Sequence, residues 1–486
     1  VSGPAARRRR PLRILLACVA GLLLLAALAA WGVERMGWAP RALGPYIERR
    51  TSGHNPAIEA FGRRVGRTLV ALDRGDDAAL PLPALPLNVG AQPGKVLAAG
   101  PGALMVDSED GLRRAFAKAA PGDVITLLPG TYRIDGMPVD ANRPGQSSAP
   151  IVVRGPRLGA VVIEFATVEG FRVSAPYWRF ENLTIRGMCR ADDECEHAFH
   201  VVGGAHHFES VNNVISDFNA HIKVNGQDGR FPDDGLVEST TLTNMHPRVT
   251  TKPVTPFDLV AASGWTLRAN LISDFIKAEG DHVSYGAFVK GGGSRNVFER
   301  NVVWCEQRLR GLPGQRIGLS LGGGGTGRTV CRDGRCITEQ DGGVLRANLI
   351  VGCSDVGIYL NSAAASRILD NTLVDTAGID VRYPTSSALV DGNIVDGRLR
   401  SRDGGIIHAA DNRIAPLWRS YLGSNAVRAL FQAPGSGDFA WRDGPPLRSD
   451  PDAVERPANV LDLCGKPRPA TPAYGAFSNF DGCIGR

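Results

Sequence analysis

From about residue 120 onward, the apolar residues come in runs of three to five, separated by Gly, Asn and Asp rather than spaced as on a long helix. One pattern recurs through them: Asn, three mostly apolar residues, then often Asp. It reads Asn182-LTI, Asn213-VISD, Asn270-LISD, Asn301-VVWC, Asn348-LIVG, Asn371-TLVD and Asn393-IVDG, with Thr241-LTN as a degenerate copy. A second alternating segment sits about ten residues before each next copy. These are Ala198-FHVV, His221-IKVN, Phe257-DLVA, Ala287-FVKG, Leu319-SLG, Ile358-YLN and Ile379-DVR. Period-two alternation predicts strands with one face in a core, and no single repeat can bury that face alone.

The repeat intervals run from 22 to 47 residues. The shortest match one coil of a right-handed parallel β-helix, and the longer ones are that coil plus loops. Coils stacked about 4.8 Å apart make the core continuous and pair each backbone with the next. Equivalent Asn side chains are then predicted to form a hydrogen-bonded ladder. Asp217, Asp274, Cys305, Gly352 and Asp375 all follow the repeated Asn by four, which supports the register. A propeller needs periods near 40 residues and a jelly roll shows no such repeat. The segment DGLRRAFAKAA over 110–120 reads as a helix that caps the first coil.

Ahead of the repeats the pattern differs. Ile14 to Val33 is an uncharged run of a length that crosses a bilayer. It follows Arg7, Arg8, Arg9, Arg10 and Arg13, which places the basic tail 1–13 in the cytoplasm and everything from Glu34 outside it. The expected location is a bacterial-type inner membrane, with the body periplasmic. Ala27-Leu28-Ala29 is a weak cleavage signal, so the run reads as an anchor rather than a leader. Cys18 reads as a plain membrane cysteine. Residues 34–95 read as a spacer: one amphipathic helix after Asn55-Pro56, with Ile58, Phe61, Val65, Leu69 and Leu72 on its apolar side, then a linker at Pro81, Pro83 and Pro86. The body spans 96–486.

Composition narrows the field. Gly and Pro make up about 19% of 486 residues, which argues against a helical bundle. The formal charge of +6 shrinks to about +1 beyond residue 33, so charge gives no argument for nucleic acid as a partner. Eight cysteines fall outside the apolar run, an even number that suits disulfides in an exported body. Local pairing suggests 189–195, 331–336 and 464–483, leaving Cys305 with Cys353 on neighbouring coils. A zinc site is the alternative, without any CxxC to support it.

Three segments carry a family likeness. Ala120-PGDVITLLPGTY looks like the opening strand of β-helix polysaccharide lyases of the chondroitinase-B and alginate-lyase type. Phe288-VKGGGSRNVFERNVV resembles their catalytic-lysine coil, and Asp462-LCGKPRPATPAYGAF is similar to the terminal coil of exported β-helix proteins. The resemblance implies that Lys290 is a Brønsted base, that an Arg one coil later assists as acid, and that acidic residues hold Ca2+. Arg316 is the nearest Arg to the acid position, although the next coil reads Ile317-GLSLGGGG. Glu279 and Asp281 stand where the calcium ligands would.

Stacking the second strands predicts two outward columns. One reads His200, Lys223, Asp258, Phe288, Ser320, Tyr359, Asp380, and the other Val202, Asn225, Val260, Lys290, Gly322, Asn361, Arg382. Such a mixture of charge, amide and aromatic faces suits a sugar chain. The candidate catalytic residues are Lys290, Lys223, Arg316 and His200, and the substrate contacts Asn225, Asp258, Tyr359, Asn361 and Arg382. Elimination from a uronic-acid polymer needs carboxylate neutralisation, a base for the C5 proton and an acid for the leaving oxygen. C5 epimerisation shares the first step. Competing readings are a non-catalytic carbohydrate-binding or structural envelope protein, and a glycoside hydrolase using carboxylates among Asp258, Glu279, Asp281 and Glu306. His197, His200, His206 and His207 offer a metal site or ordinary surface histidines. The Asp228, Asp233, Asp234 loop reads as an acidic turn.

Overall fold

The computed structural model describes residues 9–74, 87–94, 103–450, 454, 460–469 and 472–484. The tail before residue 9 and the linker prolines Pro81, Pro83 and Pro86 lie outside them. From Val124 to Ile414 the chain winds as a right-handed parallel β-helix. Successive strands go in turn to sheets of 12, 11 and 10 strands, and every neighbouring pair in those sheets is parallel. Inward side chains from all three sheets meet in one core, which contains Ile215, Ile222, Val237, Leu259, Leu267, Val289, Leu345, Ile368 and Val381, all fully buried.

The Asn ladder is present at the corner between the 12- and 11-stranded sheets. Asn270, Asn301, Asn348, Asn371, Asn393 and Asn412 each accept, through Oδ1, from the backbone N–H of the residue one coil earlier, at 2.8–3.1 Å. Asn301 Nδ2 also donates to Leu267 O and to Asn348 Oδ1, so the whole amide is satisfied inside the protein. The residue before the ladder turns the corner in a left-handed conformation: Ala269, Arg300, Ala347 and Asp370 have φ of 53–57°. Bonds made coil to coil hold non-glycine residues in that uncommon region.

Two register expectations need correction. Asn182 pairs with Asn212, because Thr184 lies opposite Val214, so Leu183 rather than Asn182 precedes the ladder. Thr240, not Thr241, fills the gap between Asn213 and Asn270. A small polar residue beside the true position misled the spacing in both cases.

At the N-terminal end, α4 (Glu109–Lys118) is capped by Ser108, whose hydroxyl accepts from Gly111 N at 3.3 Å. It buries Leu112 and Phe116 over the first coils, and Phe116 lies 4.9 Å from the Trp178 ring. The other end differs from expectation. The described residues between 417 and 484 do not continue the coils. They fold back and cover outward apolar residues of the 11-stranded sheet, packing Phe431, Phe439, Phe477 and Phe480 on Val302, Trp304, Leu349 and Val351. That sheet face is apolar, and water would otherwise meet it. The four anticipated disulfides are formed, with Cys305 and Cys353 bridging adjacent coils at a Cα separation of 5.0 Å.

Helix α1 (Arg9–Met36) includes Ile14–Met36, a span long and apolar enough to cross a membrane, with its side chains exposed. The following segment is not a free spacer. It forms two helices, α2 (Pro40–Thr51) and α3 (Pro56–Arg74), which pack on each other through Gly44 and Gly66. The anticipated apolar side of α3 faces outward: Ile58 and Phe61 are 48% and 66% exposed. The small face wins because it permits close helix contact and because the pair is clamped by a buried charge. Arg41 bonds Asp73 at 2.6 Å and Asp396 of the solenoid at 2.5 Å, and donates to Thr376 O.

Replacing Asn348 by Ala strands the Asn301 backbone N–H and one of its two amide N–H bonds in the core, while the bond to Leu267 O remains. Loss of about 1–3 kcal/mol is expected, read as a lower denaturant midpoint by circular dichroism, whereas Asn182→Ala at the turn should cost less.

Candidate functional site

The 10-stranded sheet carries the predicted columns on its outer face. The register runs Asp140, Arg172, His200, Lys223, Asp258, Phe288, Ser320, Tyr359, Asp380 and Arg400, one residue per strand. In the second column Val202 lies opposite Asn225, Asn225 opposite Val260, Val260 opposite Lys290, and Asn361 opposite Arg382. Residues far apart in sequence therefore line one track. Asp140, Arg172, Glu169, Arg400 and Arg402 were not anticipated. The first three precede the first clean repeat copy, and the last two follow the final one.

Lys290 ends the strand Val283–Lys290. Its ammonium lies 4.7 Å from the centroid of the Phe288 ring and, among the described residues, makes no hydrogen bond or ion pair. Its aliphatic stem rests on the backbone of the next coil, where a Cβ on Gly323 would come within 2.7 Å of Lys290 Cδ. Burial lowers the Lys290 pKa. Asp258 and Glu339 push it up, and Lys223 pushes it down. Glu339 itself is buried and accepts from Gly291 N at 2.8 Å and from the Thr326 hydroxyl at 2.6 Å.

Lys223 is paired with Asp258 at 2.7 Å. His200 is fixed on both sides, with Nδ1 2.8 Å from the Glu169 carboxylate and Nε2 2.8 Å from Asn225 Oδ1. That contact with His200 holds the Glu169 carboxyl below its usual range. Further along, Asn361 Nδ2 donates to the Tyr359 hydroxyl at 3.3 Å. Arg382 pairs with Asp403 at 2.6 Å, and bonds to Tyr359 and Asp403 raise its pKa. A wall beside Lys290 comes from the disulfide loop. Arg332 bonds both oxygens of Asp233, at 2.7 and 2.8 Å, and donates its N–H to Gly291 O.

Other candidates fall elsewhere. Arg316 pairs with Ser284, six positions before Lys290 on the adjoining strand. Its guanidinium is spent on Leu312 O, Pro313 O and Glu306. It is a buried structural group, not an acid facing the track. Glu279 and Asp281 are exposed, and Asp281 is held by Lys277 at 2.8 Å. They make no cradle for Ca2+. Among the described residues the one group of three potential metal ligands is Cys331, Asp333 and Cys336, whose sulfurs form a disulfide. The histidines split into two pairs: His197 and His200 on the track, and His206 against His207 beyond the strand end. The carboxylates proposed for hydrolysis also have separate duties, since Asp258 serves Lys223, Asp281 serves Lys277 and Glu306 serves Arg316.

No family model matches the chain. Over 84 residues it is 32% identical to pectate lyase L of Dickeya chrysanthemi and, equally, to that of Dickeya dadantii (strain 3937). The match takes in 15% of this chain and about a fifth of the length of those relatives. Among solved structures, pectate lyase Pel9A superposes with a TM-score of 0.51 at 15% identity, over 75% of this chain and 90% of that one. An alginate lyase from Paenibacillus sp. str. FPU-7 gives a TM-score of 0.40 at 15% identity, over 64% and 95%. The chain thus resembles the parallel β-helix polysaccharide lyases, and the likeness to Pel9A is one of fold.

His221, next to the track, has no access to water, and its Nε2 lies 2.9 Å from Thr243 O. Burial lowers its pKa to about 4. Between that value and the ordinary 6.5 or so the unfolded chain binds the extra proton, so stability falls as pH drops through this window. A loss on the order of 2–3 kcal/mol from this one group is expected. It is measured as the difference in urea midpoint between pH 7 and 4.5, and His221→Gln should shrink it.

Proposed function

We propose that the protein binds a uronic-acid-containing polysaccharide along the 10-stranded sheet and removes the sugar C5 proton with Lys290, giving β-elimination or C5 epimerisation. The reading is carried by Lys290 itself: a half-buried lysine without a counter-ion among the described residues, in line with groups suited to a sugar chain. A lysine acts as base only when neutral, and burial, the largest influence on Lys290, favours that form, with Lys223 adding to it against the opposing pull of Asp258 and Glu339. Lys223 lies two strands away, roughly 10 Å, within reach of a neighbouring sugar carboxylate. Phe288 is buried beneath the Lys290 ammonium and fixes where that group sits. On the adjoining strand, the Ser320 hydroxyl donates to Gly322 O at 2.7 Å, so protonation of the leaving oxygen falls to water.

Proton removal next to a carboxylate needs that carboxylate neutralised. In this scheme Lys223 supplies the charge, and no step passes through Glu279 or Asp281. Helix α1 would hold the protein in a membrane, and the four disulfides suit a body on the oxidising side. The names of the similar proteins, pectate lyases, point toward the same substrate class.

The test mixes the protein with polygalacturonate, alginate and chondroitin sulfate, with and without Ca2+, and follows the ultraviolet absorbance of unsaturated products. C5 inversion is followed by proton NMR. Lys290→Ala should lower the rate at least about 100-fold. The rate should rise with pH as Lys290 loses its proton, and Lys223→Met should move that rise to higher pH because it removes a neighbouring positive charge. New reducing ends without unsaturation would replace this reading with hydrolysis, and retention on polysaccharide without either product would replace it with binding alone.

A further inference from the structure

The track ends under a helix. Trp38, two residues before α2, and Ala42, Tyr46 and Arg49 within it line the same cavity of about 350 Å³ as Tyr359, Asp380 and Arg402. The spacings of four and three put Ala42, Tyr46 and Arg49 on one side of the helix. Opposite them lie the last three strands of the 10-stranded sheet, Ile358–Asn361, Gly378–Arg382 and Arg398–Arg402, and Val283, Tyr285, Gln315 and Ile317 near the start of the two strands before them, so the cavity flanks the end of the column.

The groups in this cavity have donors to spare. Arg400 and Arg402 both hold the same oxygen of Asp380, at 2.9 and 3.0 Å. The other oxygen, Asp380 Oδ1, is buried and unbonded, as is Arg402 Nε. The Arg49 guanidinium makes no ion pair or hydrogen bond among the described residues, while the residue's carbonyl accepts from the Ser52 hydroxyl. Guanidinium groups with free N–H bonds recognise carboxylates in a fixed plane. Trp38 and Tyr46, packed edge to face with ring centroids 4.8 Å apart, give the helix side of the cavity an aromatic wall beside these charges.

We propose that this cavity seats the terminal residue of an acidic sugar chain, and that α2 closes the track so that the protein engages polymer ends. This rests on the reading of the track as a polysaccharide site. It goes further by fixing where the chain stops and which residues recognise its end. The Arg41 clamp to Asp396 keeps α2 in place over the last strands.

The experiment uses the full chain in detergent and saturated tetramers of galacturonic and of mannuronic acid, with affinity measured by calorimetry. Arg49→Ala and Trp38→Ala remove groups from the helix side only. Each should weaken tetramer binding by about tenfold. With the corresponding polymer, small products should accumulate before viscosity falls. Tetramer binding that withstands both substitutions but is lost in Lys223→Met would overturn the proposal and leave the track reading intact. So would a fall in viscosity that runs ahead of product release and depends on Lys290. A wild-type protein that binds neither tetramer and neither polymer would remove the track reading, and the end-binding proposal with it.

Discussion

A parallel coil exposes a row of backbone N–H and C=O groups on each side until another coil covers it, and its inward side chains have no partner until the stack forms. Every feature of this protein follows from how that stack is kept in register. The backbone bonds alone leave a coil free to slip by two residues without exposing its core face. The Asn ladder removes that freedom. Each amide at the corner is satisfied only when the next amide is directly above it, as Asn301 and Asn348 are. A slip would strand several buried polar groups at once, each at a cost of about 1–3 kcal/mol.

Fixed register turns a one-dimensional repeat into a surface. Lys223, Asp258, Phe288 and Lys290 are spread over 68 positions of chain yet occupy three adjacent strands of one face. The stack also sets their electrostatics. Lys223 has a carboxylate within bonding distance and Lys290 does not, because Val260 rather than an acid lies opposite it. Loops add what strands cannot: the 331–336 disulfide loop, tied by Arg332 to Asp233, walls the track beside Lys290.

The segments outside the coils fold onto them for a related reason. Outward positions of the 11-stranded sheet are apolar, and the chain after Ile414 returns to cover them. The 10-stranded sheet keeps polar outward positions, so it is left for a ligand except where α2 crosses its last strands. The helices before the solenoid therefore help to shape the candidate site. A buried Arg41, shared between Asp73 and Asp396, joins the two parts, and its charge is compensated on both sides.

The repeat was legible in the sequence because period-two alternation and the recurring Asn are local signals, each fixed by the geometry of a single coil. They gave the fold class, the disulfide between neighbouring coils and the two columns with Lys290 and Lys223 in line. The pattern stopped being informative wherever a residue's role depended on something distant. Arg316 looked like a spare cation until Glu306 and two carbonyls were seen to use it, and Asp281 looked like a metal ligand until Lys277 was found beside it. The apolar stripe of α3 was legible, but the segment read as a spacer, and only the fold shows that the helix packs through its small face at Gly44 and Gly66 while Ile58 and Phe61 stay exposed. Periodicity determines which face a residue takes within its own coil. Only the folded chain decides what lies across from that face, because the partner comes from a part of the sequence that shares no spacing with it.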